Sequence, residues 1–208
     1  MSAESHATRK GTGMVPRWFL NILHEIIYAD GQDGYLAVQA ISVAMDARSL
    51  SVPDVLAGWA NGLGQTGIGN ALGISRHCVC RRMKTLRRRL GAPLLRNLHG
   101  NRTAANVLSA FDFGHGRTMP NILHVIRRLA SLSPVELCVL SALLRLMTED
   151  ETLALLGISH TWYHTIKARL SASFLIVPPG RRRKVKISAC TQNPNLLPYA
   201  AFAERCAF

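Results

Sequence analysis

Apolar residues recur at helical spacing in several stretches of the chain. Between Trp18 and Tyr28 they fall at Phe19, Ile22, Leu23, Ile26 and Ile27, the pattern of one buried helix face. The spacing returns between Asn121 and Ala130, with Ile122, Leu123, Ile126 and Leu129. Ser133-Pro134 predicts an N-cap with proline at the first helical position, and Glu136 stands where a capping box needs it, so an apolar helix is expected to run to Met147. A short helix is expected to end at Leu72 and a longer one to begin after Ser75, where Val79, Met83, Leu86 and Leu90 form a narrow packing stripe. Tyr163, Ile166 and Leu170 form a similar stripe further on. The hairpin signal comes late: Phe174 to Val177 and Val185 to Ser188 flank Pro178-Pro-Gly180 and a basic run. The pattern predicts a mainly α chain with short β-hairpins.

Two fragments of text occur twice in the same order. Asn21-Ile-Leu-His24 returns as Asn121-Ile-Leu-His124, and Leu72-Gly-Ile-Ser75 returns as Leu156-Gly-Ile-Ser159. The offsets are 100 and 84 residues, so an internal duplication needs 16 extra residues in the first half. Tyr28 to Ser49 is the expected place, with Asp30-Gly-Gln-Asp-Gly34 read as a loop. The resulting division is a disordered tail over 1–15, a first domain over 16–110, a linker over 111–118 and a second domain over 119–208.

Charge sharpens this picture. The 208 residues carry 25 Lys/Arg against 12 Asp/Glu, a formal charge of +13. The excess is shared, +7 in residues 1–110 and +6 in 111–208, and each half has a long stretch without any acid, 55–111 and 152–203. Such a balance suits a partner made of phosphates or an anionic surface. The longest apolar run, Gly34 to Met45, is too short to span a bilayer. The polar first ten residues show no signal-peptide core, and five cysteines do not make a disulfide framework, so a cytoplasmic, nucleoid-associated protein is expected.

The segment 65–90 assembles these signals. Small Gly69 and Ala71 allow a close helix crossing, Gly73 suits a tight turn of positive φ, and Ser75 suits the N-cap of the next helix, the parts of a helix-turn-helix. In that motif the start of the second helix enters the major groove, so Ser75, Arg76, His77, Cys78 and Arg81 are expected nearest the bases. Arginine there can pair bidentately with guanine. Arg82, Lys84, Thr85, Arg87, Arg88 and Arg89 are expected toward the backbone, where they supply salt-sensitive affinity. In the second copy Thr161, His164 and Lys167 take the outer face, with Trp162 beside them. Basic content shifts there to Arg181, Arg182, Arg183 and Lys184 at the expected hairpin tip.

Ala71-Leu-Gly-Ile-Ser75, Val79, Arg81, Met83, Leu86 and Leu90-Gly-Ala-Pro-Leu-Leu95 resemble the DNA-binding segment of LysR-type transcriptional regulators over about 40 residues, 65–103. The resemblance implies a winged helix-turn-helix, with Leu94 to Thr103 as the wing, Arg102 on it, and Arg76, His77 and Arg81 facing bases. Position 95 is Leu where that family has Phe, its closing arginine falls one place early at Arg96, and its effector domain has no counterpart, so ligand induction is not implied. Leu132-Ser-Pro-x-Glu136 also resembles the opening of response-regulator helix-turn-helix domains.

The full expectation is a bacterial-type transcriptional regulator of tandem winged helix-turn-helix domains on duplex DNA. It allows either a grip on two adjacent groove segments by the two units as a pseudo-dimer or a homodimer through the helix near Ile22, and leaves room for a contact with RNA polymerase. A plasmid or phage replication initiator binding origin repeats is the alternative, and an RNA- or acidic-partner-binding protein the third. No catalytic set, cofactor or membrane partner is expected. Cys78-Val-Cys80 places its sulfurs about 200° apart on a helix, unsuited to chelation, and no metal site is expected. Trp18, Trp59 and Trp162 are too scattered for a base-stacking platform.

Overall fold

The computed structural model describes residues 15–49 and 51–174. Twelve helices make up the described residues: α1 (Arg17–Tyr28), α2 (Gly31–Met45), α3 (Ser51–Ala60), α4 (Gln65–Leu72), α5 (Arg76–Leu90), α6 (Ala92–Asn97), α7 (Arg102–Ala110), α8 (Phe113–Thr118), α9 (Pro120–Ala130), α10 (Pro134–Leu144), α11 (Glu149–Leu156) and α12 (His160–Phe174). No strand occurs among them.

The helix boundaries follow from local chemistry. Side chains of Ser75, Asn101, Asp112, Ser133 and Thr148 each accept a backbone N–H at the start of a helix, satisfying donors that have no partner within the helix. Ser133–Glu136 and Thr148–Glu151 are complete capping boxes, as the sequence predicts for the first pair. α10 ends at Leu144, three residues before the expected Met147.

The β-hairpin wings are corrected. Where the first was expected, Leu94 to Thr103, the chain forms α6, a turn and the start of α7. Gly91 ends α5 at φ 82°, Pro93 lies in the first turn of α6, and Asn101 caps α7 by accepting from Ala104 N at 2.8 Å. Leu95 and Leu98 are buried, so the apolar spacing here is helical and not alternating. The second hairpin is not seen either: Phe174 is the last residue of α12, and 175–188, with Arg181, Arg182, Arg183 and Lys184, lie outside the described residues. Residues 1–14 of the expected tail lie outside them too.

Asp30-Gly-Gln-Asp-Gly34 is also not a loop. The chain turns at Ala29–Asp30 and α2 begins at Gly31. Gly34 is a packing residue: a Cβ there would sit 2.6 Å from the Ile26 carbonyl oxygen of α1, so only glycine permits this crossing. This segment is therefore part of a helix, and α2 is the hub of the molecule. Leu36, Ala37, Val38, Ala40, Ile41 and Ala44 of α2 are buried, and α2 packs against α1, α3, α5, α7, α8, α9 and α10.

Helices on both sides of residues 111–118 contribute to one continuous apolar cluster. That segment itself holds α8 and buried Phe111. Long-range polar contacts within the chain join the halves: Gln39 Nε2 donates to Ala130 O at 2.7 Å, and the Ser141 hydroxyl donates to Ile27 O. Ile22 is 1% exposed, so the α1 stripe is used within the chain and is not open to a partner.

Candidate nucleic-acid interface

α4 and α5 form a helix-turn-helix around Gly73. Gly73 adopts φ 63°, ψ 29°, and Ile74 N donates back to Gly69 O at 3.0 Å, closing the end of α4. A Cβ at Gly69 would lie 2.8 Å from the Ile74 carbonyl oxygen, so the turn sits directly on α4. Ser75 then caps α5 through Cys78 N at 3.3 Å.

Val79, Met83, Leu86 and Leu90 are buried along one side of α5, held by α2, α3, α4 and α6. Burying each large side chain contributes about 1.5–3 kcal/mol, which fixes the rotation of the helix. That rotation exposes Arg76, His77, Arg81, Lys84, Arg87, Arg88 and Arg89. Arg82 and Thr85 are half-buried. Thr85 donates to Arg81 O at 3.3 Å and receives Arg88 Nη2 at 3.5 Å, while Arg82 Nη1 is buried without a hydrogen-bond partner.

A surface groove lies on each flank of α5. One runs between α5 and the α2–α3 connection, lined by Arg48, Arg81, Arg82, Arg88 and Arg89. The other runs between α5 and α6, lined by Lys84, Arg87 and Arg96 along with Trp59 and Gln65. Neither groove has an acidic wall. Among the described residues no carboxylate pairs with a cation of α5. Trp59 Nε1 donates to Leu95 O at 2.7 Å, tying α3 to α6 and shaping the second groove.

Cys78, half-buried in the first turn of α5, has its thiol held below the ordinary range. The hydrogen bond with Ser75 is the largest cause; burial opposes it, and the charges of Arg81 and Arg82 add to the lowering. Arg102 does not flank α5 on a wing. It is exposed at the start of α7, beside the Gly100 turn whose N–H donates to Trp59 O at 3.4 Å.

The second turn repeats the backbone of the first. Gly157 has φ 61° and ψ 31°, and Ser159 Oγ accepts from Trp162 N at 3.3 Å. α11 and α12 have 8 and 15 residues, the lengths of α4 and α5. Tyr163, Ile166 and Leu170 are buried, as their stripe predicts. The outer face differs. Thr161, Trp162 and His164 are exposed, and Lys167 lies 5.2 Å from the Tyr163 ring centroid. His160 Nδ1 and His164 Nε2 both meet Glu149 Oε1, at 2.9 and 3.0 Å. This triad was missed in the sequence, although His160 and His164 at i, i+4 were the available signal.

No family model, curated protein or solved structure matches this chain.

Proposed function

We propose that the chain is a sequence-specific duplex-DNA-binding transcriptional regulator that reads the major groove with α5. The observation that supports this best is the acid-free cationic face of α5 with a cationic groove on each flank. A helix in the major groove, roughly 12 Å wide, runs between two phosphate backbones. The Arg48–Arg88 groove and the Lys84–Arg96 groove offer one seat for each. Arg76, His77 and Arg81, exposed near the N-terminus of α5, take the base edges; Arg82, Lys84, Thr85, Arg88 and Arg89 take phosphates. No wing is part of this reading. Among the described residues no helix is long and apolar enough to cross a membrane, and on this reading the protein resides with the nucleoid.

α12 contributes less on this reading. Among the described residues Thr161, His164 and Lys167 have no comparable cationic flanks, and the first turn of α11 carries Glu149, Asp150 and Glu151, which repel phosphate.

Selection from random duplexes at about 150 mM salt, near the physiological ionic strength, is expected to return a defined motif. Arg76→Ala and Arg81→Ala are expected to relax preference at single positions, by about 1–3 kcal/mol each. Arg88→Ala is expected to weaken all sequences alike and reduce the salt slope by about one. Equal losses on selected and random duplex for all three variants would remove the base-reading role.

A further inference from the structure

The second helix-turn-helix converges three side chains that DNA contact by α5 does not use. Glu149 is the first residue of α11, and His160 and His164 stand one turn apart on α12, so their rings share a face. The Gly157 turn folds α11 back toward α12. Glu149 Oε1, His160 Nδ1 and His164 Nε2 all lie within 4.8 Å of one another.

We propose that Glu149, His160 and His164 form a binding site for a divalent transition metal of the zinc type, with its remaining coordination positions open to water. Two ligand atoms held at about 2.0–2.2 Å from one tetrahedral zinc ion stand roughly 3.3–3.6 Å apart. The two carboxylate–imidazole separations, 2.9 and 3.0 Å, fall slightly short of that spacing and open to it by small side-chain rotations. The imidazole–imidazole edge closes by side-chain rotation, which is unhindered because the two rings are 68% and 59% exposed. Two imidazole nitrogens and one carboxylate suit zinc, copper, nickel or cobalt, whereas calcium and magnesium take oxygen ligands.

Local charge also favours a cation here, despite the +13 of the chain. Glu149, Asp150 and Glu151 are consecutive and account for three of the twelve acids. Glu151 is engaged with the Thr148 backbone in its capping box, which leaves Glu149 as the one turned to the histidines. A bound ion would pin the start of α11 to the first turn of α12. Counting back 84 residues, α4–α5 has Gln65, Arg76 and Cys80 at these places, so the site belongs to the second turn alone.

The test uses the full-length, tag-free chain, stripped with a chelator and titrated calorimetrically with zinc chloride. Zinc bound elsewhere, as by cysteine thiolates, is common to all variants and cancels. The wild-type chain is expected to bind one equivalent more than the His160→Ala/His164→Ala double variant. Glu149→Gln is expected to weaken that equivalent at least tenfold, and the visible d–d bands that cobalt(II) gains with that equivalent in the wild-type chain to be missing from the double variant. Because all three side chains are solvent-facing or half-buried and outside the apolar core, circular dichroism is expected to stay unchanged. Identical zinc stoichiometry and affinity in wild type and both variants would overturn the proposal. So would a site that fills only at millimolar zinc. Neither result bears on DNA binding by α5.

Discussion

Replacing Gly73 with alanine tests the turn on which the interface rests. Its φ of 63° lies in the left-handed region, and a Cβ built there meets nothing within 4 Å. The cost is thus conformational and not steric. Placing an L side chain in that region costs about 1–2 kcal/mol. Alanine also restricts the unfolded chain, which returns about 0.4–1 kcal/mol. The net expectation is a loss of about 1 kcal/mol, or roughly 2–4 °C in Tm for a chain of this size. Gly157 has φ 61° and the same open surroundings, so Gly157→Ala is expected to cost the same amount. Asparagine, which tolerates this region better, is expected to recover part of the loss at either position. Urea unfolding followed by circular dichroism measures all four variants. Alanine variants as stable as wild type would refute the left-handed turn. A loss above about 3 kcal/mol would mean that steric overlap, and not backbone conformation, dominates.

Two further outcomes follow from the polar network. Glu136 accepts Ser133 N at 2.9 Å and Arg169 Nη1 at 2.5 Å, and its carboxyl is held below the usual glutamate range, chiefly by the Ser133 N–H, with burial opposing. Glu136→Gln is expected to cost about 1–3 kcal/mol at pH 7. Because the folded pKa is the lower one, this stabilisation is complete above the ordinary glutamate pKa, about 4.3, and is lost as pH falls through the folded value. The gap between the urea midpoints of wild type and variant should therefore narrow as pH falls below the ordinary glutamate pKa; a gap that stays constant on acidification refutes the pairing. Cys78 and Cys138 make an internal comparison, since the first thiol is lowered and burial raises the second. Iodoacetamide at neutral pH is expected to label Cys78 first, read by peptide mass spectrometry. Equal labelling would contradict the Ser75 contact.

The sequence shows what local rules control. Caps such as Ser75 and Ser133, and stripes such as Val79-Met83-Leu86-Leu90, depend on neighbours within a few residues, and their structure matches them. Misreadings arose where tertiary context decided. Gly31 and Gly34 look like loop residues, yet Gly34 serves a helix crossing whose partner, Ile26 O, lies on another element. The first wing came from a resemblance, while Pro93, Leu95 and Asn101 specify helices locally. Glu149 is remote in sequence from His160, and only the Gly157 turn brings them together.

The two turns share a backbone but not an electrostatic character, and this divergence organises the functional reading. Residues 65–90 hold seven Lys/Arg and no acid; residues 149–174 hold two Lys/Arg and three acids. At the 84-residue offset Arg76 becomes His160, Arg81 becomes Thr165, Lys84 becomes Ala168 and Arg88 becomes Ala172. On the proposed function each phosphate neutralised adds about 0.9 to the salt slope of duplex binding, so between these two segments the larger share is expected from α5. Several inner positions 84 residues apart are buried in both units, Ile68 and Thr152, Val79 and Tyr163, Leu86 and Leu170, whereas buried Met83 corresponds to half-buried Lys167. Packing constrains the inner face of each unit through the shared core, whereas the outer face is free to change. One outer face carries an acid-free set of cations; the other gathers two imidazoles and a carboxylate. Substitutions on either outer face are therefore expected to change its charge without unfolding the shared core.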